Sequence, residues 1–104
     1  IDATVVKFDT AVFKSETHLP HMGWNDARPS SAATLFAGLE ASRYYFLHSY
    51  YMQPDREENI LATSCYGATF ASAVRSGNVY GTQFHPEKSH QWGVQLLKNF
   101  AELT

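Results

Sequence analysis

Apolar and aromatic residues fall in short runs along this chain, and Gly, Pro, Asn or Asp separates most of them. Runs of this length, rich in β-branched and aromatic side chains and bounded by turn formers, read as strands. They are expected over 4–8, 18–24, 43–51, 60–66, 69–75 and 79–84. The last two flank Ser76-Gly77-Asn78, where the glycine can take the positive φ of a tight turn, so they should pair as an antiparallel hairpin. Two helices are expected. After Pro29, Ser30 or Ser31 can cap a short helix through Phe36, and Gly38 sits where a left-handed C-terminal residue is wanted. From His90 to Leu103, the residues Trp92, Leu96, Phe100 and Leu103 recur at helical spacing, Leu97 widens the stripe, and Ser89 stands at the N-cap. There is no repeat, linker or low-complexity stretch. The elements should therefore form one α/β unit, a mixed and largely antiparallel sheet with packed helices.

Composition narrows the function classes. At 104 residues the chain suits a single small domain. Its net charge is −2 and its Lys and Arg are scattered singly, so it offers no basic stripe for a nucleic-acid backbone. The opening IDATVVKFDT carries Asp2 and Asp9 and reads as neither a secretory signal nor a membrane span. The lone cysteine, Cys65, cannot form an internal disulfide, which fits a cytoplasmic location. The abrupt start on a strand-like VVKF suggests that residues precede it.

The richest chemistry lies in YGTQFHPEKS, residues 80–89, which places His85 and Glu87 two apart just past a strand. In extended backbone, residues i and i+2 project to the same side, so imidazole and carboxylate can meet. Pro86 restrains its own φ and pushes His85 towards extended geometry. A carboxylate that accepts the Nδ1 proton leaves Nε2 free and stabilises the imidazolium that later forms. That is the base-and-orienter half of a nucleophilic triad. An isolated His-Pro-Glu is usually a solvated turn. Here it follows an apolar strand ending in Gln83-Phe84 and precedes a capped amphipathic helix.

That arrangement resembles the G-x-Q-F-H-P-E signature of class I glutamine amidotransferases. The resemblance implies that His85 is general base and acid and that Glu87 orients it. In that family a cysteine on a glycine-flanked strand-to-helix turn attacks the carboxamide of glutamine, ammonia leaves, and the thioester is hydrolysed to glutamate. Cys65, in ATSCYG within an expected strand, does not match that nucleophile and reads as an inert core or sheet cysteine. Residues 1–104 are accordingly expected to be the C-terminal part of one amidotransferase domain, without the half that carries the nucleophile.

PHMGWN at 20–25, YFLHSYY at 45–51 and Lys88-Ser89 further resemble the glutaminase subunits of imidazole glycerol phosphate synthases, over nearly the whole chain and in the same order. From the residues alone, Met22 and Trp24 suit either a core or an interface. The resemblance implies that Met22, Trp24, Asn25 and Lys88 belong to a docking face for the cyclase (synthase) subunit, a (βα)8 barrel that receives ammonia within a heterodimer. It also implies that Ser49 and Tyr50 bind the amino-acid end of L-glutamine, largely through backbone groups, and that neither cofactor nor metal is needed. His48 reads by default as a core histidine bonded to backbone. Other readings remain: a non-catalytic interaction fragment, a glutaminase domain of another class I amidotransferase, an ordinary α+β domain, or a hydrolase using Cys65, which would require that thiol within reach of His85.

Overall fold

The computed structural model describes residues 3–7, 21–30, 34–39 and 42–103. Its strands are β1 (Ala3–Lys7), β2 (His21–Pro29), β3 (Ser42–His48), β4 (Tyr50–Pro54), β5 (Ile60–Cys65), β6 (Thr69–Ser76), β7 (Val79–Thr82) and β8 (Phe84–His85), followed by the helix α1 (His90–Ala101). Single 3₁₀ turns occupy Thr34–Phe36, Glu57–Asn59 and Pro86–Lys88. Every pairing among the described residues is antiparallel. The expected hairpin forms as β6 and β7, with Ser76 opposite Val79 and Gly77 at φ 59 in the two-residue turn.

Two expected strands are broken, each for a local reason. The run 43–51 stops at Ser49, where the His48 ring Nδ1 bonds the Tyr50 carbonyl at 2.8 Å and turns the chain. The next strand, β4, leaves the main sheet and pairs with β1 as a separate two-stranded ribbon. The run 79–84 is interrupted at Gln83, whose N–H donates to the Ser72 carbonyl at 2.9 Å while its side-chain Oε1 accepts from Met52 N–H at 3.0 Å. The expected strand 18–24 instead runs on to Pro29, and its residues 18–20, like Phe8 of the first run, lie outside the described residues.

The six-stranded sheet has the order β7-β6-β5-β2-β3-β8. Its two edge strands are consecutive in the chain and separated by Gln83 alone. A sheet whose opposite edges are joined by one residue must roll until those edges approach, so this one curls like an incomplete barrel.

Alternation along the strands then fills the inner face. Tyr44, Phe46, Phe70 and Phe84 are buried, and Tyr44 stacks on Phe84 with ring centroids 4.1 Å apart. Phe36 closes on both rings edge-on. Each such side chain contributes roughly 2–3 kcal/mol by leaving water.

The short helix expected before Gly38 is a single 3₁₀ turn, and Gly38 takes φ 77 as its position required. Ser30 does not cap it: its N–H donates to the Leu61 carbonyl at 2.7 Å, extending the β2–β5 pairing, and Ser31 lies outside the described residues. Helix α1 packs through part of the expected stripe, and Leu97, expected to widen it, is half-exposed. Leu96 is buried, Trp92 packs against the core, and Phe100 leans edge-on against Tyr80 at 5.5 Å while staying half-exposed.

Candidate active site

His85 ends β8, and its backbone is held opposite Tyr45 of β3. The chain does not continue extended to Glu87. It enters the 3₁₀ turn Pro86–Lys88, with proline at the first position where no backbone donor is needed. That turn, rather than strand alternation, brings the carboxylate back, and His85 Nδ1 lies 2.8 Å from Glu87 Oε1. The carboxylate can only accept, so Nδ1 carries the proton and Nε2 is left as the free base. The Glu87 carboxyl is held below the usual carboxylate range, first by its own backbone N–H, then by the hydrogen bond from His85, with Lys88 adding a smaller contribution. It therefore stays charged opposite any imidazolium formed at His85.

Two residues seat this pair. Ser89 is fully buried, and its hydroxyl donates to the His85 carbonyl at 2.6 Å while accepting from the Tyr45 N–H at 3.0 Å. It occupies the N-cap of α1 as expected, yet its side chain makes no cap hydrogen bond, because those two contacts consume it. Gly93, one helical turn on, is pressed against the Pro86–Lys88 turn. A Cβ there would stand 1.8 Å from the Pro86 carbonyl oxygen.

Beside the His85–Glu87 pair lies a second pair, buried His21 and partly buried His48, that the spacing of residues alone does not reveal. His21 Nδ1 and His48 Nε2 are 2.9 Å apart, and His21 is stacked between Phe46 and Tyr66, at centroid distances of 4.7 and 4.0 Å. Burial lowers the His21 pKa to about 4, with the neighbouring His48 adding to the effect. Burial also lowers that of His48, against the opposing pull of the Tyr50 carbonyl, and a charge on His85 lowers it further. His48 is thus the backbone-bonded histidine that the sequence suggests, with His21 as a partner.

The unfolded chain takes up a proton at His21 near 6.5, whereas the fold resists it until about 4. Stability from this site is therefore complete above 6.5 and declines as pH falls towards 4, by on the order of 3 kcal/mol. Denaturant midpoints of the complete chain across that window should fall accordingly. A flat profile would mean that the fold accepts the proton.

The remaining predicted residues divide by face. Met22 pairs across from Leu47 and Trp24 across from Tyr45, on the side of β2 and β3 away from His21 and Phe46. All but Tyr45 are exposed, and Trp24 stacks on His90 at 5.5 Å and meets Trp92 edge-on at 6.0 Å. Lys88 is exposed on the Pro86–Lys88 turn. Asn25 belongs to the other face of β2, where its amide donates to the Cys65 carbonyl at 2.8 Å and stands 3.4 Å from His21 Nε2. Ser49 and Tyr50 form the bend after β3, and Tyr50 is half-exposed. Cys65 ends β5, in the sheet as expected, but its side chain is exposed rather than in the core. In the strand order β5 stands three positions from β8, on the order of 10 Å or more, which leaves the thiol out of reach of His85. Among the described residues no three His, Cys, Asp or Glu side chains gather as a metal site, and no helix is long and apolar enough to cross a membrane.

The Glutamine amidotransferase class-I family profile matches residues 3–103. The chain belongs to the class I glutamine amidotransferases. Among similar amidotransferase proteins, Imidazole glycerol phosphate synthase subunit HisH 2 of Pseudomonas aeruginosa is 47% identical over 99% of this chain and 50% of its own length. Imidazole glycerol phosphate synthase subunit HisH of Bdellovibrio bacteriovorus is 53% identical over 81% of this chain and 42% of its own. This amidotransferase chain thus spans about half the length of the curated relatives it matches. The solved structure of a Thermoplasma acidophilum protein, assigned to GMP synthase, aligns with a TM-score of 0.66 over 94% of this chain and 46% of that one. At 24% identity it supports the class I amidotransferase fold alone.

Proposed function

We propose that this chain is the part of an imidazole glycerol phosphate synthase glutaminase that supplies the proton-transfer half of the active site. The carrying observation is the His85–Glu87 pair, with Nδ1 committed to the carboxylate and Nε2 open. In this reading Nε2 takes the proton of a cysteine thiol supplied by the preceding half of the domain, and the thiolate attacks the glutamine carboxamide. The imidazolium then returns the proton to the departing ammonia, and water, activated by the same nitrogen, releases glutamate from the thioester. Ser49 and Tyr50 hold the amino-acid end of glutamine. Ammonia passes to a cyclase subunit docked on the face that carries Met22, Trp24 and Lys88, with Asn25 supporting that face from behind. The exposed apolar row Met22, Trp24 and Leu47 next to the catalytic turn supports this docking side, since such a row is common at interface cores.

Glutamate release measured with this chain alone and with the complete glutaminase tests the reading. The complete protein should turn over glutamine in a His85-dependent manner, and this chain alone should not. Turnover by this chain that Cys65→Ser abolishes would overturn it. In the same complete protein, Trp24→Ala should weaken binding of the cyclase subunit by roughly tenfold or more, the cost of truncating a buried aromatic anchor. Unchanged affinity would leave Trp24 with a role in the fold only.

A further inference from the structure

The His21–His48 pair has one consistent arrangement of protons. The Tyr50 carbonyl can only accept, so His48 donates to it from Nδ1. A neutral His48 then has a bare Nε2, which accepts from His21 Nδ1–H. The bare Nε2 of His21 in turn faces the Asn25 amide, which donates to the Cys65 carbonyl while its Oδ1 accepts from Asp26 N–H. These donor and acceptor roles are mutually consistent, and the series ends on the backbone of the Ser49-Tyr50 bend. Aromatic rings on both sides of His21 prevent it from turning away. On its far side the same segment is tied to the catalytic strand, through Met52 N–H and Gln83.

We propose that His21 and His48 are positioning residues for glutamine recognition: the pair fixes the Tyr50 carbonyl and so sets the backbone of the Ser49-Tyr50 bend against the substrate. This rests on the proposed glutaminase function and on the assignment of that bend to glutamine. The pair touches no reacting atom, so its loss should appear in binding rather than in the chemical step.

Two substitutions at His48 separate its two bonds. In His48→Asn the amide nitrogen lies near the old Nδ1 and can still donate to the Tyr50 carbonyl. In His48→Gln the side chain reaches towards His21 instead and leaves that carbonyl without its donor. With the complete glutaminase bound to its cyclase subunit, His48→Gln should raise KM for glutamine by roughly tenfold with kcat changed by less than about threefold, while His48→Asn stays within about threefold in both. Equal KM values for the two variants, or a fall in kcat at constant KM, would overturn the proposal. ¹⁵N spectra of the histidines in the wild-type complex supply a check that needs no variant. They should show both rings protonated at Nδ1 and bare at Nε2, and the opposite tautomer at His48 would also overturn it. Wild-type complex without glutaminase activity would instead remove the functional reading itself, whereas normal wild-type activity with KM insensitive to His48→Gln would remove only the positioning role.

Discussion

In the complete glutaminase, His85→Ala should lower kcat by 10³-fold or more, whereas Glu87→Gln should lower it by roughly 10- to 100-fold. The difference follows from what each group does. In the proposed mechanism His85 carries the proton in both directions, so its loss leaves neither a base for the thiol nor an acid for ammonia. Glu87 holds the ring by one hydrogen bond at 2.8 Å and keeps a charge beside it. Glutamine preserves the size and an acceptor oxygen and loses only the charge. A thiol is much more acidic than a serine hydroxyl, so a cysteine enzyme leans less on the third member of its triad. Neither side chain belongs to the buried core, and both variants should keep their melting temperature. Steady-state glutamate release with a thermal melt of each variant checks this. Equal inactivity of two folded variants would mean that the carboxylate does more than orient.

Gly93→Ala should lower kcat/KM by on the order of 10²-fold although residue 93 touches no substrate. Glycine inside a helix normally costs stability, and alanine there ordinarily restores about 1 kcal/mol. Here the sign is reversed, because the new methyl would sit 1.8 Å from the Pro86 carbonyl oxygen and 2.8 Å from its carbon. Backbone is on the receiving end, so either α1 or the Pro86–Lys88 turn must move by more than an ångström. Glu87 rides on that turn, and its bond to His85 moves with it. Stability should also fall, by about 1–3 kcal/mol, the range for overpacking. An alanine variant that is more stable and fully active would show that helix and turn separate at little cost.

The sequence reveals most where a feature is local. His85 and Glu87 are two residues apart, and a proline turn suffices to join them. The hairpin at Gly77 and the face of α1 that carries Trp92 and Leu96 are legible for the same reason, since each depends on neighbours within a few positions. Features that stay hidden depend on distant partners. Ser89 reads as an N-cap, yet its hydroxyl is taken by His85 and by Tyr45, 44 residues away. His21 and His48 are 27 apart and meet only when β2 and β3 pair. Gly93 resembles a weak point in a helix, and only the approach of the Pro86 turn explains it. The break at Ser49 is masked because the run 43–51 has one uniform aromatic character on both sides of it. Likewise residue type points Cys65 inwards, and strand alternation overrules the type.

The join of β7 to β8 through Gln83 also bears on how the molecule assembles. Hairpins such as β6–β7 bring near neighbours together and can form early, at small entropic cost. The pairing of β8 with β3 joins residues about 40 apart in sequence, such as Tyr45 and His85, and so carries a larger loop-closure cost than the hairpins. His85 is therefore expected to take its position later than the hairpins form. A chain that stalls with the first hairpins formed would have much of its secondary structure and no proton-transfer pair. In the complete glutaminase, His85-dependent activity should therefore recover after refolding later than any signal from the hairpins, and recovery in step with them would mean that the β8–β3 contact forms as early as they do.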